Sequence, residues 1–190
     1  MFAVHARYRG RSTRRADHVR ASAGALSRLE GVGEVAVAGI EELVATPRDA
    51  VSVTTLTLAL LAAGDWAIGI GVSPDREEGA ATAAASGALG KGGRAGRVRA
   101  RVRTDDPRGA VLADDIGSAF TLLHHVISRR SPEGREATNL VRAGWTQVEA
   151  AEELGVSKQA VNQRLRAAGW HAEEAGWRLA VHLLERAAEN

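Results

Sequence analysis

The spacing of apolar residues changes once along the chain, near residue 110. Before that point strand-like runs alternate with helical ones; after it the apolar residues recur every third or fourth place throughout, as on helices. Residues 2–8 alternate loosely and predict a strand. Residues 17–29 carry Val19, Leu26 and Leu29 at helical spacing, closed by Gly31 and Gly33. Residues 34–38 and 42–45 predict a hairpin turning through Gly39-Ile40-Glu41. Thr46-Pro47-Arg48-Asp49 reads as a helix start: a capping Thr, Pro at the first helical position and an acid three residues after the cap. That signal and the length outweigh the β-branched content (Val51, Val53, Thr54, Thr55, Thr57), so a helix is expected to about residue 63.

Residues 66–72, WAIGIGV, predict a strand with glycines on one side. Residues 75–89 are Ala-rich and helical, weakened by Gly79 and Gly87, and 91–96 form a loop. Residues 97–103 alternate Arg with Val and Ala, an edge-strand pattern. The order predicts a βαββαβ core with an added edge strand. The expected fold is α+β: a ferredoxin-like (cyclase-like) antiparallel sheet domain over 1–108, with helices on one face, followed by an all-α helix-turn-helix domain.

In the second half, Leu112, Ile116, Ala119, Phe120, Leu123, Val126 and Ile127 form one apolar stripe. It suits a linker helix over 109–131 or a contact with a second copy. Ser131-Pro132-Glu133 starts a helix over 132–142 with Ala137, Leu140 and Val141 inward, ended by Gly144. A last helix, 172–188, carries Trp177, Ala180, Val181 and Leu184 on one side. Residues 132–190 are expected to form the helix-turn-helix domain, with Trp145, Trp170 and Trp177 in its core.

The stretch 146–170, TQVEAAEELGVSKQAVNQRLRAAGW, carries the most chemistry. Thr146 suits an N-cap, and Val148, Ala151 and Leu154 share a face. A small Ala151 suits the close crossing of two helices. Gly155 follows where a left-handed turn is cheapest. Ser157 caps a second helix, 157–168, with Ala160, Val161 and Leu165 on one side and Lys158, Gln159, Asn162, Gln163 and Arg166 on the other. That outer face has no acid. Its side chains are those that pair with base edges, Gln and Asn with adenine, Arg and Lys with guanine. A merely solvated helical hairpin would mix in Glu, as the preceding helix does with Glu149, Glu152 and Glu153.

Composition adds limits. The chain has 190 residues, 45% hydrophobic and 25% charged, and no cysteine, which excludes disulfides and thiolate metal sites and makes the cytoplasm the expected compartment. The start, MFAVHARYRGR, lacks an apolar core followed by a cleavage site, and the longest apolar candidate, 51–63, is too short for a membrane span. Nearly every cation is Arg, concentrated in Arg7, Arg9, Arg11, Arg14, Arg15 and Arg20 and in Lys91, Arg94, Arg97, Arg99, Arg101 and Arg103. Two readings stand open: contact with a nucleic-acid backbone, or charge guarding exposed strand edges.

Other motifs fail on their spacing. Gly69-Ile70-Gly71 lacks the third Gly of a dinucleotide fingerprint, and Gly90-Lys91-Gly92 lacks the first Gly and the final hydroxyl of a phosphate loop. His124-His125 has no Glu at metal-site spacing, with one ring expected inward and one outward. Asp114 and Asp115 read as first-turn helix acids. No Ser/His/Asp set stands out. Only Glu41 and Glu42 sit where a sheet-based metal site might use them.

The hairpin AGIEELVATPRDAV, the strand WAIGIGV and the helix-turn-helix tail together resemble bacterial SatD-family proteins, which join a nucleotidyl-cyclase-like domain to a C-terminal helix-turn-helix. The resemblance implies two metal-binding acids, one on the first strand and one at the hairpin. Here the hairpin reads Ala38-Gly39-Ile40-Glu41-Glu42 and the first strand, FAVHARY, has no acid. The N-terminal domain is therefore expected to be non-catalytic, serving dimerisation or sensing.

The expected function is sequence-specific binding of double-stranded DNA by a homodimeric transcriptional regulator. Helix 157–168 would lie in the major groove, and Thr146 and Gln147 would meet phosphate. No metal, cofactor or membrane is expected, and an unknown small ligand is left open. The alternatives are a nucleotide-binding sensor or degenerate cyclase-like enzyme in the N-terminal domain, and a module whose polar helix meets another protein.

Overall fold

The computed structural model describes residues 1–75, 77 and 79–189. The first half contains β1 (Phe2–Tyr8), α1 (Arg15–Leu26), β2 (Val35–Val37), β3 (Glu42–Ala45), α2 (Ala50–Ala63), β4 (Trp66–Val72), α3 (Ala80–Leu89) and β5 (Val98–Val102). The second half is helical: α4 (Arg108–Ser128), α5 (Pro132–Arg142), α6 (Gln147–Glu153), α7 (Lys158–Ala167) and α8 (Trp170–Glu189).

The five strands make one mixed sheet in the order β2-β3-β1-β4-β5. Every neighbouring pair is antiparallel except β4 and β5, which are parallel. This corrects the expected antiparallel sheet. The chain leaving β4 crosses the sheet through α3 and re-enters in the same direction, and such a crossover requires a parallel pair.

Helices cover both faces, not one. Phe2, Val4, Ala6 and Tyr8 of β1 point into the main core with Val19 and Ala23 of α1 and the inner side of α2. The opposite face holds α3, whose Ala81 and Ala85 pack on Ala3. The glycines of WAIGIGV explain how close α3 comes. A Cβ on Gly69 would stand 2.2 Å from Ala85 O, and one on Gly71 would stand 1.9 Å from Ala81 O, so only glycine admits the helix.

α2 is buried almost all round, which is why its sequence shows no polar stripe. Its buried threonines are satisfied within the helix: Thr54 Oγ1 donates to Ala50 O at 2.8 Å and Thr57 Oγ1 to Val53 O at 2.7 Å. The cap is Asp49, not Thr46. Asp49 Oδ1 accepts from Ser52 N at 2.8 Å, so Pro47 lies ahead of the helix.

α4 begins at Arg108, leaving Asp114 and Asp115 beyond its first turn, contrary to expectation. Its apolar stripe is spent inside the chain: Leu112, Ile116, Phe120 and Leu123 are buried in the sheet's core together with Ala180, Val181 and Leu184 of α8. The helix expected to link two units is thus part of the first, and so is the inner side of α8. By length and a mean hydropathy of 1.2, α4 is also long and apolar enough to cross a membrane, whereas the apolar run 51–63 is not.

A second, smaller core lies among α5, α6 and α7: Ala137, Ala150, Ala151, Val161 and Leu165, with Leu140, Val141, Leu154, Val156 and Trp170 against it. Of the three tryptophans expected there, only Trp170 takes part. Trp177 packs on the larger core and Trp145 is 40% exposed. Val148, expected inward, is 49% exposed. Ala150 holds the inner position instead, and Val148 lies about 200° away around the helix.

Candidate nucleic-acid interface

Each end of α6 is closed by groups the sequence supplies locally. Thr146 Oγ1 accepts from Glu149 N at 3.3 Å and donates to Glu149 Oε2 at 2.8 Å, while Thr146 N donates to the same oxygen at 2.7 Å. This is a reciprocal capping box. Its backbone and side-chain hydrogen bonds from Thr146 hold the Glu149 carboxyl below the usual range. At the other end Gly155 takes φ +62°, and Val156 N bonds Ala151 O at 3.0 Å and Gly155 N bonds Glu152 O at 3.2 Å. That pair of bonds turns the chain sharply into α7. Ser157 Oγ then accepts from Ala160 N at 3.1 Å and caps α7.

α7 buries Val161 and Leu165 and exposes Lys158, Gln159, Asn162, Gln163 and Arg166. These are the residues assigned outward from sequence. They differ in surroundings. Gln163 lines an open groove with Arg129, Ser131, Glu133, Arg164, Ala167 and Ala168. Glu133 places an acid there, held below the usual carboxylate range first by the Ser131 hydroxyl and then by its own backbone N–H. Gln147 is half-buried at the first position of α6. Thr146 is exposed, but both its hydroxyl and its N–H are engaged by Glu149.

The three-helix unit is tied to the sheet unit by buried charge. Arg130 donates from Nε to Ala168 O at 2.8 Å, from Nη1 to Thr138 Oγ1 at 3.4 Å, and from Nη2 to Glu173 Oε2. Arg142 Nη2 donates to the other Glu173 oxygen at 2.6 Å, and its guanidinium lies 5.6 Å from the Trp170 ring centroid. Arg130 and Glu173 are 5% and 3% exposed, so neither charge is solvated and each depends on the other. No local pattern signals this pairing: Arg130 ends an Arg pair and Glu173 opens a Glu pair, both ordinary surface patterns.

On the α3 face of the sheet a second polar cluster forms. His5 Nε2 lies 2.9 Å from Glu42 Oε2, His5 Nδ1 lies 2.9 Å from Ser86 Oγ, and Arg7 Nε donates to Glu42 Oε1 at 2.6 Å. Burial raises the Glu42 pKa, but hydrogen bonds from Arg7 and His5 outweigh it and hold the carboxyl below the usual range. A Ser, a His and a Glu in a row have the membership of a hydrolytic triad. Ser86 Oγ, however, donates to Thr82 O at 2.9 Å, away from the imidazole, and Ser86 sits inside α3, where its own N–H belongs to the helix. The cluster acts as a clasp joining α3 to β1 and β3. Glu41 is likewise engaged, by Arg9 at 3.5 Å and by Arg15. The two hairpin acids are therefore already matched with cations.

No family model, curated protein or solved structure matches the chain. The functional reading rests on the residues and their geometry.

Proposed function

We propose that the chain is a sequence-specific DNA-binding protein, a transcriptional regulator that reads the major groove with α7. The observation that carries this reading is the division of α7. Val161 and Leu165 fix one side in the small core, while the other side exposes Lys158, Gln159, Asn162 and Arg166 with no acid anywhere in the helix. Gln and Asn pair with adenine and Arg and Lys with guanine, so this side has base-reading chemistry. The sharp, Gly-turned entry from α6 lets a protruding helix enter a groove.

The flanking residues take different roles. Gln163, beside Glu133, is assigned to the rim. Ser157 caps the reading helix. At the start of α6 the Glu149 carboxylate occupies the place a phosphate would take, so backbone contact there falls to Gln147 rather than Thr146.

The first unit is read as a dimerisation or sensing module of ferredoxin-like, cyclase-like kind. The order β2-β3-β1-β4 with antiparallel neighbours supports that reading, with β5 as the addition. The acid-free β1 and the ion pairs on Glu41 and Glu42 argue against two-metal chemistry in it. Since α4 spends its apolar stripe internally, the contact of a homodimer is assigned to the sheet unit, with half-sites about 34 Å apart.

Binding selection from a random duplex library at two salt concentrations tests the reading. The expected result is an enriched two-fold motif whose affinity falls with salt. Gln159→Ala or Asn162→Ala relaxes the preference at one base step by ~1–3 kcal/mol. Unchanged preference in both variants removes the base-reading role, and absence of any DNA binding rejects the function.

A further inference from the structure

The two Arg-rich stretches differ in their ionic partners, although Arg7 and Arg9 also donate to the carbonyls of Gly90, Lys91 and Gly93 in the loop before β5. In the first, Arg7 pairs with Glu42, Arg9 and Arg15 with Glu41, and Arg14 and Arg20 with Asp17. In the second, only Arg103 reaches an acid among the described residues, Glu77 at 3.7 Å. Lys91, Arg94, Arg97, Arg99 and Arg101 are exposed and form no ion pair among the described residues. Five of the six arginines of the first stretch are thus matched with acids, and Arg11 forms no ion pair among the described residues. The second is positive charge left facing solvent.

The fold then gathers that charge on one side. β5 is an edge strand, and its pairing sets Arg99 beside Gly69 and Arg101 beside Gly71, on the α3 face. Strand alternation brings Arg97 to the same face. The neighbouring α3, AATAAASGAL, has no charged residue and no large polar one, so nothing on it repels an anion or screens the guanidinium groups. Gly87 of α3 is part of the arrangement: Arg101 Nη1 lies 2.6 Å from where a Cβ would stand, so the guanidinium is laid across the glycine.

The surface also lies at the end of the molecule that carries the three-helix unit. α4 runs back along β5. Gly117 stands beside Val98 O, and the His124 ring lies against Gly96, just ahead of β5. From His124 the chain needs six more residues to reach Arg130 in the joint, about 9 Å of helical rise. The loop with Lys91 and Arg94 and the start of β5 therefore sit near the point where the reading unit is attached.

We infer that the loop before β5 and the outer face of β5 are a second DNA-contact surface, which holds backbone phosphates of the duplex flanking the site read by α7. This rests on the DNA-binding reading and extends it. The assigned chemistry is sequence-independent: guanidinium groups match phosphate oxygens bidentately. Guarding a sheet edge would also use charge, but it does not require contact with DNA.

The test is the salt dependence of binding to a duplex about three helical turns long that carries the selected motif at its centre. Three proteins are compared by titration: the wild-type chain, R97Q/R99Q/R101Q, and the loop variant K91Q/R94Q, which leaves β5 untouched should the first self-associate through its edge. Each lost phosphate contact makes the slope of log K against log salt shallower by ~0.9, so reductions of up to ~2.7 and ~1.8 are expected, with the preferred motif unchanged. R99K/R101K keeps most of the wild-type slope. Wild-type slopes in both neutral variants overturn the inference and leave the role of α7 standing. Failure of the wild-type chain to bind DNA overturns both.

Discussion

At the residue scale, the informative side chains are those that lost water and gained one specific partner. Arg130 and Glu173 are the extreme case, buried together where four helices meet. Removing Glu173 strands Arg130, and removing Arg130 leaves the buried Glu173 carboxylate with Arg142 alone. Arg130→Ala is expected to destabilise the chain by ~3–5 kcal/mol, read as a lower denaturation midpoint, and Glu173→Gln in the Arg130→Met background is expected to recover part of that loss. Folding lowers the pKa of His124 and of several carboxyl groups, Glu42, Asp49, Glu133 and Glu149 among them. Burial and the neighbouring His125 lower the His124 pKa, and the Arg7 and His5 hydrogen bonds, against burial, lower that of Glu42. In both the folded state holds its proton less tightly than the unfolded state. Their stability contributions are therefore full above the unfolded values, ~6.5 for His and ~4.3 for Glu, and are lost as pH falls through the folded values. Thermal melts should show the midpoint dropping in two stages on acidification. His124→Gln flattens the upper stage and Glu42→Gln reduces the lower, which Asp49, Glu133 and Glu149 share; an unchanged profile in either variant refutes its assignment.

At the element scale, the helices fall into two kinds. α5, α6 and α7 are defined by local signals: Ser131 with Pro132, the Thr146–Glu149 box, Gly155 and the Ser157 cap. They were legible because a cap and its target lie three residues apart. α3 is the opposite kind. Its alanines and the glycines of β4 make sense only as two surfaces pressed together. Gly71→Ala should separate α3 from the sheet, costing at least the ~3 kcal/mol upper range of overpacking changes, because the new methyl meets backbone that has nowhere to rotate. Gly64→Ala has open space for its methyl but a left-handed φ of +83°, so it is expected to cost about 1 kcal/mol. Equal midpoints for the two variants in denaturant titration would remove the contact argument.

At the scale of the whole molecule, α7 is held on a long lever. α4 and α8 are both rooted in the sheet's core and both reach the small unit, α4 through Arg130 and α8 through Trp170 and Glu173. The orientation of α7 is thereby referred to the sheet. The sequence alone determined the strand and helix order, the caps of α5, α6 and α7 and the outward set Lys158, Gln159, Asn162, Gln163 and Arg166, because these depend on spacings of a few residues. It did not determine the parallel β5, the helices on both faces, the merging of α4 and α8 into the first core, or the sorting of paired from unpaired arginines. Those depend on which distant residues become neighbours. Arg7 and Arg99 read alike in the chain; only folding gives Arg7 a carboxylate and leaves Arg99 facing solvent.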